Sequence, residues 1–169
     1  MFAYGSLIWR PDFQPAETTM ARLAGWHRAM CILSTVYRGT PACPGLVLGL
    51  DRGGSCLGRA LRVEAAEWPA VKAMLDAREL VTGVYTPRFV PLRLADGRRV
   101  AAYAFTCDRS HPQYWRGPRD QAVRLIRQGR GTGGPARDYL ACTVEHLAAL
   151  GIADRSLHAL LSHVDDEVE

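Results

Sequence analysis

Residue patterns for metal binding and disulfide exchange are missing from this sequence. Its five cysteines, an odd number, include no C-x-x-C pair, and its five histidines include no H-E-x-x-H motif. These absences exclude zinc-ribbon and thioredoxin-type sites. We therefore expect free thiols in a reducing compartment, with no metal site and no cofactor.

Long apolar runs are absent as well. Stretches such as residues 46–48 and 100–105 fall far short of the ~20 residues that cross a membrane. Residues 1–9 carry no basic segment ahead of their apolar part, as a secretory signal would. These features predict a soluble, cytoplasmic protein with no membrane partner.

Lysine is nearly absent, because Lys72 is the one exception among 21 basic residues that are otherwise arginine. The formal net charge is +4, but the arginines are dispersed and acidic residues lie among them. A nucleic-acid-binding protein usually concentrates its positive charge on one face, so we expect no nucleic-acid partner. A modest positive field does favour a small anionic substrate.

Composition and periodicity predict one α+β domain over residues 1–169. The chain is 48% hydrophobic and 22% charged, as in ordinary globular proteins, and its length suits one domain. The strands are predicted at residues 2–4, 29–36, 46–50, 57–63, 90–94 and 100–107, with turns at 51–55 and at Asp96-Gly97. The last third is predicted to be helical, and helices are expected at 66–79, 121–127, 139–150 and after a cap at Asp154.

The first segment that can carry chemistry is Tyr4-Gly5-Ser6-Leu7, where a short apolar strand meets a turn. Successive backbone N–H groups in such a turn form a concave site for an anion. Glycine at this place often has a positive φ or lets a substrate approach the backbone closely. The alternative is an ordinary turn after an edge strand, and Ser6 lies in no G-x-S-x-G motif of an activated serine.

The second segment surrounds Glu79, a carboxylate at a predicted helix end among apolar neighbours and shortly before Gly83. Partial burial would raise its pKa and make it a usable general base near neutral pH. The alternative is a solvated glutamate beside Arg78 at a fraying helix end. Asp76 is the competing carboxylate in the same helix.

The third segment is the glycine-rich loop 129–135, with Tyr139 beyond it. Spaced glycines before a helix are found in phosphate-binding loops, but no Gly-Lys-Ser/Thr follows and no strand immediately precedes them. By itself this segment indicates a loop followed by a core tyrosine.

Taken together and in order, these segments resemble the ChaC family of gamma-glutamylcyclotransferases. The resemblance runs from Phe2 to about Leu161 and is carried by short blocks spread along the chain: residues 2–9 (FAYGSLIW), 38–41 (RGTP), 44–45 (PG), 78–79 (RE), Gly83, Tyr85, 131–133 (GTG), 139–140 (YL), 150–154 (LGIAD) and Leu157. Tyr37 stands where the family pattern has histidine.

The resemblance implies a gamma-glutamylcyclotransferase-like fold, a small mixed β-barrel flanked by helices. It implies an enzyme that degrades glutathione to 5-oxoproline and cysteinylglycine. By position, Glu79 would be the catalytic acid/base. Tyr4, Gly5, Ser6 and Leu7 would hold the γ-glutamyl group, and Tyr139 would be a further substrate contact.

The chemistry of a γ-glutamyl amide agrees with these residues independently. The substrate's own α-amino nitrogen attacks the γ-carbonyl and closes a five-membered lactam, so the protein needs no serine, cysteine or metal nucleophile. It needs proximity, donors for the oxyanion and one carboxylate that moves a proton. Two alternatives remain open: a cyclotransferase for another γ-glutamyl amine or dipeptide, and a catalytically silent binding module on the same fold.

Overall fold

The computed structural model describes residues 1–166 and contains, over that range, four α-helices and a five-stranded antiparallel sheet. The strands of the sheet are β1 Phe2–Ala3, β2 Glu17–Ser34, β3 Gly45–Arg62, β4 Tyr85–Leu94 and β5 Arg99–Cys107. The helices are α1 Trp68–Glu79, α2 Arg119–Gln128, α3 Ala136–Ala149 and α4 Arg155–Asp165. A 3-10 helix at Ser6–Ile8 follows β1, and a small hairpin pairs β6 Arg130–Gly131 with β7 Gly134–Pro135. The α+β class and the helical last third are confirmed.

The described chain divides into two compact units, each with its own buried side chains. The first contains residues 1–29 and 49–111, and its core is apolar: Phe2, Leu23, Leu50, Leu92 and Ala104. The second contains residues 30–48 and 112–166, where the three C-terminal helices bury Ile126, Leu140, Leu147 and Leu157. One domain over residues 1–169 stays a prediction, and residues 167–169 lie outside the described part.

The five strands follow the order β1-β3-β2-β4-β5. β4 and β5 pair from Tyr85 opposite Cys107 to Arg93 opposite Arg99, and Gly97 in the intervening turn has a φ of 90°. The predicted Asp-Gly hairpin is therefore confirmed, because a left-handed turn residue favours glycine. The strand order is open and β1 has two residues, so closure into a barrel is not confirmed.

The predicted turn at residues 51–55 is wrong, because β3 runs through it without interruption. Gly53 and Gly54 have φ values of 104° and 67°. Glycine adopts this left-handed conformation without steric cost, so a glycine-rich composition that is typical of a turn is here part of a strand. The segment 129–135 is likewise more than a loop, since it contains the β6–β7 hairpin.

Helix boundaries follow the predictions closely. α1 begins at Trp68, two residues after the predicted start, with Pro69 in its first turn, and it ends at Glu79 as predicted. Asp154 caps α4, because its carboxylate accepts a hydrogen bond from the Leu157 amide at 3.2 Å. Within residues 1–166, none of the helices has the length and apolar character to span a membrane.

Candidate active site

The C-terminal end of α1 positions Glu79, the last residue of the helix. Leu75, one turn earlier, is fully buried and fixes this end of the helix in the core of its unit. The helix then ends through Leu80, whose amide donates to the Asp76 carbonyl, and Gly83 turns the chain with a φ of 75°. The side chain of Glu79 is 19% exposed, so it keeps a narrow access to solvent.

The guanidinium of Arg78 connects Glu79 with the segment that follows β1. Its Nε lies 3.1 Å from Glu79 Oε1, and its Nη2 donates to the Ser6 hydroxyl at 2.9 Å. Its Nη1 donates to the Asp12 carboxylate and to the Arg10 carbonyl, each at 2.7 Å. One cation therefore holds the predicted acid/base and the predicted binding turn together.

Burial raises the pKa of the Glu79 carboxyl above its ordinary value. The positive charge of Arg78 acts against this rise, and the negative charge of Asp12 adds to it. A carboxyl group with a raised pKa gives and takes protons near neutral pH more readily than a solvated one. The solvated-glutamate alternative is therefore not what the structure places at this position.

Asp76, the competing carboxylate, is fully engaged. It accepts hydrogen bonds from Lys72 Nζ at 2.6 Å and from the Tyr103 hydroxyl at 2.7 Å. Burial by itself would raise the pKa of Asp76, but these two hydrogen bonds together lower it. An aspartate held ionised by two donors is a structural group and a poor proton carrier.

Tyr103, the partner of Asp76, and Trp68 at the start of α1 border a cavity of about 260 Å³. Three aromatic rings at its wall contact one another, with Tyr103 5.4 Å from both Trp68 and Phe89 between ring centroids. The remaining wall includes Glu17, Arg62 and Arg98. The cavity is lined by none of the predicted site residues.

The segment Tyr4–Leu7 uses its side chains mainly for packing. Tyr4 is buried, and its hydroxyl donates to the Phe105 carbonyl at 2.9 Å, while its own carbonyl accepts from Arg28 Nε at 2.6 Å. Leu7 is buried as well. Gly5 has a φ of −137°, so the first of the two expected reasons for glycine, a positive φ, does not apply, and close approach of the substrate stays a prediction.

Tyr139 belongs to the second unit, on α3 after the β6–β7 hairpin. The Arg38 guanidinium lies 5.5 Å from the centre of its ring and donates through Nη1 to the Pro135 carbonyl at 3.2 Å. The glycines of the hairpin permit close backbone contact, because a Cβ on Gly131 would lie 2.3 Å from the Val36 carbonyl. The exposed Tyr37 contributes its carbonyl, which accepts from the Gly133 amide at 2.8 Å.

The structure thus brings the predicted residues Glu79 and Ser6 together through Arg78, which also binds Asp12, and the sequence analysis assigned no role to Arg78 or Asp12. Its position directly before Glu79, within the block that resembles the family, was the available signal for Arg78. No sequence signal marked Asp12. Within residues 1–166, no cluster of three or more His, Cys, Asp or Glu side chains is placed to hold a metal ion.

Comparison with known proteins shows the family to which this chain belongs. The chain is 38% identical to glutathione-specific gamma-glutamylcyclotransferase of Escherichia coli strain K12, over 97% of this chain and 71% of that protein. It is 28% identical to human glutathione-specific gamma-glutamylcyclotransferase 1, over 97% and 77%. The fold matches the crystal structure of a yeast glutathione-specific gamma-glutamyl cyclotransferase with a TM-score of 0.88, at 21% identity, over 97% and 94% of the two chains. The family model of ChaC-like proteins matches residues 1–167, and the chain therefore belongs to the ChaC-like protein family.

Proposed function

We propose that the protein is a gamma-glutamylcyclotransferase that degrades glutathione to 5-oxoproline and cysteinylglycine, with Glu79 as its general acid/base. The observation that carries this proposal is the Glu79 carboxyl itself. It is largely buried, its pKa is raised, and it shares the Arg78 guanidinium with Ser6 of the predicted binding turn. The names of the Escherichia coli and human relatives support glutathione as the substrate.

In the proposed reaction, Glu79 is the group that takes up and returns protons. The ionised Glu79 takes a proton from the α-ammonium group of the substrate, and the freed amine attacks the γ-carbonyl carbon. The tetrahedral oxyanion that forms needs hydrogen-bond donors. Glu79 then gives its proton to the cysteine nitrogen as the C–N bond breaks, which releases cysteinylglycine. The ring nitrogen still carries one proton more than a lactam holds. This second proton passes through the ionised carboxylate to the released amine, which leaves neutral 5-oxoproline lactam, the ammonium form of cysteinylglycine and an ionised Glu79.

The binding roles rest on the segment Tyr4–Leu7. Because the Tyr4 and Leu7 side chains are buried, we assign the contact with the γ-glutamyl group to the backbone of this segment. The first N–H groups of a helix have no partner inside it, so the amides of Gly5, Ser6 and Leu7 are the donors proposed for the oxyanion. Tyr139 is proposed as a further substrate contact, as the family resemblance implies.

The barrel is part of the same proposal. We infer that β1 and β5 form the two edges of an incomplete barrel, supported by the hydrogen bond from the Tyr4 hydroxyl, directly after β1, to the Phe105 carbonyl in β5. Because β1 has two residues, it offers few backbone groups for pairing. The Tyr4 side chain therefore substitutes for part of the backbone hydrogen-bond ladder. The cytoplasmic location and the lack of a nucleic-acid partner stay predictions.

The deciding experiment incubates the purified protein with glutathione and measures both products by mass spectrometry. We expect 5-oxoproline and cysteinylglycine in equal amounts, with activity retained in EDTA because the proposed chemistry has no Lewis-acid step. Turnover of other γ-glutamyl dipeptides without turnover of glutathione would favour the sibling activity. No turnover of any γ-glutamyl compound would favour the silent binding module, and loss in EDTA restored by a divalent ion would refute the metal-free mechanism.

A further inference from the structure

Arg78 makes an unusual set of contacts for a residue beside an acid/base. Its Nε and Nη2 form one edge of the planar guanidinium, and a carboxylate commonly occupies both positions of such an edge. Here the edge is divided, because Glu79 takes Nε and the Ser6 hydroxyl takes Nη2. The ion pair with Glu79 therefore shares this edge with the Ser6 hydroxyl, and its closest contact runs through Oε1.

The other end of the guanidinium is occupied by Asp12. Its carboxylate lies 2.7 Å from Arg78 Nη1, and the same nitrogen donates to the Arg10 carbonyl. Asp12 has a φ of 62°, and no other non-glycine residue in the described chain has a positive φ. Aspartate and asparagine tolerate this left-handed conformation better than most residues, and conformations of this kind concentrate at functional sites.

Among residues 1–166, the charges of two groups with opposite signs act on the pKa of Glu79. Arg78 of the same helix favours the ionised carboxylate, and Asp12 of the segment after the 3-10 helix disfavours it. Asp76 on the same helix is directed to Lys72 and Tyr103 instead. Asp12 is bound to the cation that pairs with Glu79, so it limits how strongly that cation holds the acid/base.

We propose that Arg78 and Asp12 are positioning residues for Glu79: Arg78 fixes one carboxylate oxygen relative to Ser6, and Asp12 takes up the remaining charge of the guanidinium so that Glu79 stays available for proton transfer. This inference rests on the proposed function for its meaning in catalysis, although the arrangement of charges is a property of the fold. It gives Arg78 two separable tasks, one geometric and one electrostatic.

The electrostatic task predicts opposite shifts for two substitutions. Asp12→Asn keeps the left-handed conformation accessible and removes the negative charge, so the pKa of Glu79 should fall. Arg78→Met removes the positive charge, so that pKa should rise. Asp96→Asn is the matched control, because Asp96 also pairs with an arginine, Arg98, and has no contact with Glu79.

The experiment follows the Glu79 side-chain carboxyl by ¹³C NMR titration, with its resonance assigned by its loss in Glu79→Gln. We expect Asp12→Asn to titrate at lower pH than the wild type, Arg78→Met at higher pH, and Asp96→Asn with the wild type. Shifts in the same direction, or no difference from Asp96→Asn, would overturn the proposal. If Arg78→Met fails to fold, the Asp12→Asn and Asp96→Asn titrations decide alone.

The geometric task is measured by kinetics with glutathione. Arg78→Lys keeps the charge but loses the shared edge, so kcat should fall about 10–10²-fold, as for a small misplacement of a reacting group. The acidic limb of the kcat/KM profile should stay where it is in the wild type. An unchanged kcat would refute the geometric task. Absence of 5-oxoproline from the wild type would instead refute the proposed function, and the NMR titration would still decide the charge arrangement.

Discussion

Asp76 and Glu79 lie three positions apart on α1. Their carboxylates differ in the number of hydrogen-bond donors around them and in the effect of their surroundings on the pKa. Asp76 receives two short hydrogen bonds, from Lys72 and Tyr103, whereas Glu79 has one ion pair, with an Arg78 that is shared with Asp12 and Ser6. The pKa of Asp76 is lowered and that of Glu79 is raised. The same functional group is thus structural at one position and chemically available at the other.

The largest effect on turnover is expected from substitution of Glu79 itself. Glu79→Gln keeps the shape of the side chain but takes no proton from the substrate ammonium, so no nucleophile forms. Because general acid–base groups contribute about 10²–10⁴-fold, we expect a loss of at least that order in turnover of glutathione, with substrate binding partly retained. Circular dichroism should show an intact fold.

Asp76→Asn is the control, and it should stay within a few-fold of the wild type. Should Glu79→Gln remain active while Asp76→Asn is dead, the two roles assigned to α1 would have to be exchanged. The 5-oxoproline assay distinguishes these results directly.

A second test uses stability, where the two substitutions should act in opposite directions. A raised folded-state pKa means that the stability linked to Glu79 is present below its unfolded-state pKa and is lost as the pH rises through the folded one. At neutral pH the buried carboxylate is therefore unfavourable, and Glu79→Gln should raise Tm. Asp76 has a lowered pKa, so its contribution is present above the unfolded-state value and is lost as the pH falls through the folded one.

Asp76→Asn should accordingly lower Tm at neutral pH. Loss of its charged hydrogen bonds costs about 1 kcal/mol for a partly exposed group, which corresponds to roughly 2–4 °C in a chain of this size. Thermal scans from pH 3 to pH 8 check both signs. A fall in Tm for both variants at neutral pH would show that burial of the ionised Glu79 does not destabilise the fold.

The third test concerns Ser6, which accepts a hydrogen bond from the arginine that pairs with Glu79. Ser6→Ala removes the hydroxyl that accepts from Arg78 but keeps the backbone amides proposed for the oxyanion. Loss of one hydrogen bond of ~1.4 kcal/mol corresponds to about a tenfold fall in kcat/KM. Gly5→Val should reduce activity further, because a side chain there obstructs close approach to the backbone. The proposed roles are reversed if Ser6→Ala is inactive and Gly5→Val matches the wild type.

The difference between the two carboxylates was only partly predictable. Periodicity located α1 and its end, and apolar neighbours favoured burial of Glu79, since both signals are local. Asp12 and Tyr103 are 67 and 27 positions from the carboxylates they affect, and such distant partners leave no local pattern. The glycines at 53 and 54 indicate a turn by their composition, but the structure places their left-handed backbone inside a continuous strand. The family resemblance supplied the function, and the contacts of Arg78 needed the structure.

The smallest expected effect concerns Tyr103, the partner on the Asp76 side. Tyr103→Phe removes the hydroxyl that donates to Asp76 at 2.7 Å but keeps the ring against Trp68 and Phe89. Lys72 still donates to the same carboxylate, so the loss should be about 1 kcal/mol or less, seen as a small fall in Tm at neutral pH. That difference should shrink as the pH falls below the ordinary value of 3.8 for Asp76, because protonation removes the charge that the hydroxyl stabilises.

Turnover of glutathione by Tyr103→Phe should equal that of the wild type, because no contact joins Tyr103 to Glu79, Arg78 or Ser6 in residues 1–166. The measurement is kcat/KM beside that of Ser6→Ala, so that one hydroxyl is removed from the surroundings of each carboxylate. If the two variants lose activity equally, the Asp76 cluster also takes part in the reaction and the separation of roles along α1 fails. If only Ser6→Ala loses activity, α1 contains one structural carboxylate, Asp76, and one reactive carboxylate, Glu79. Different partners then position the two side chains.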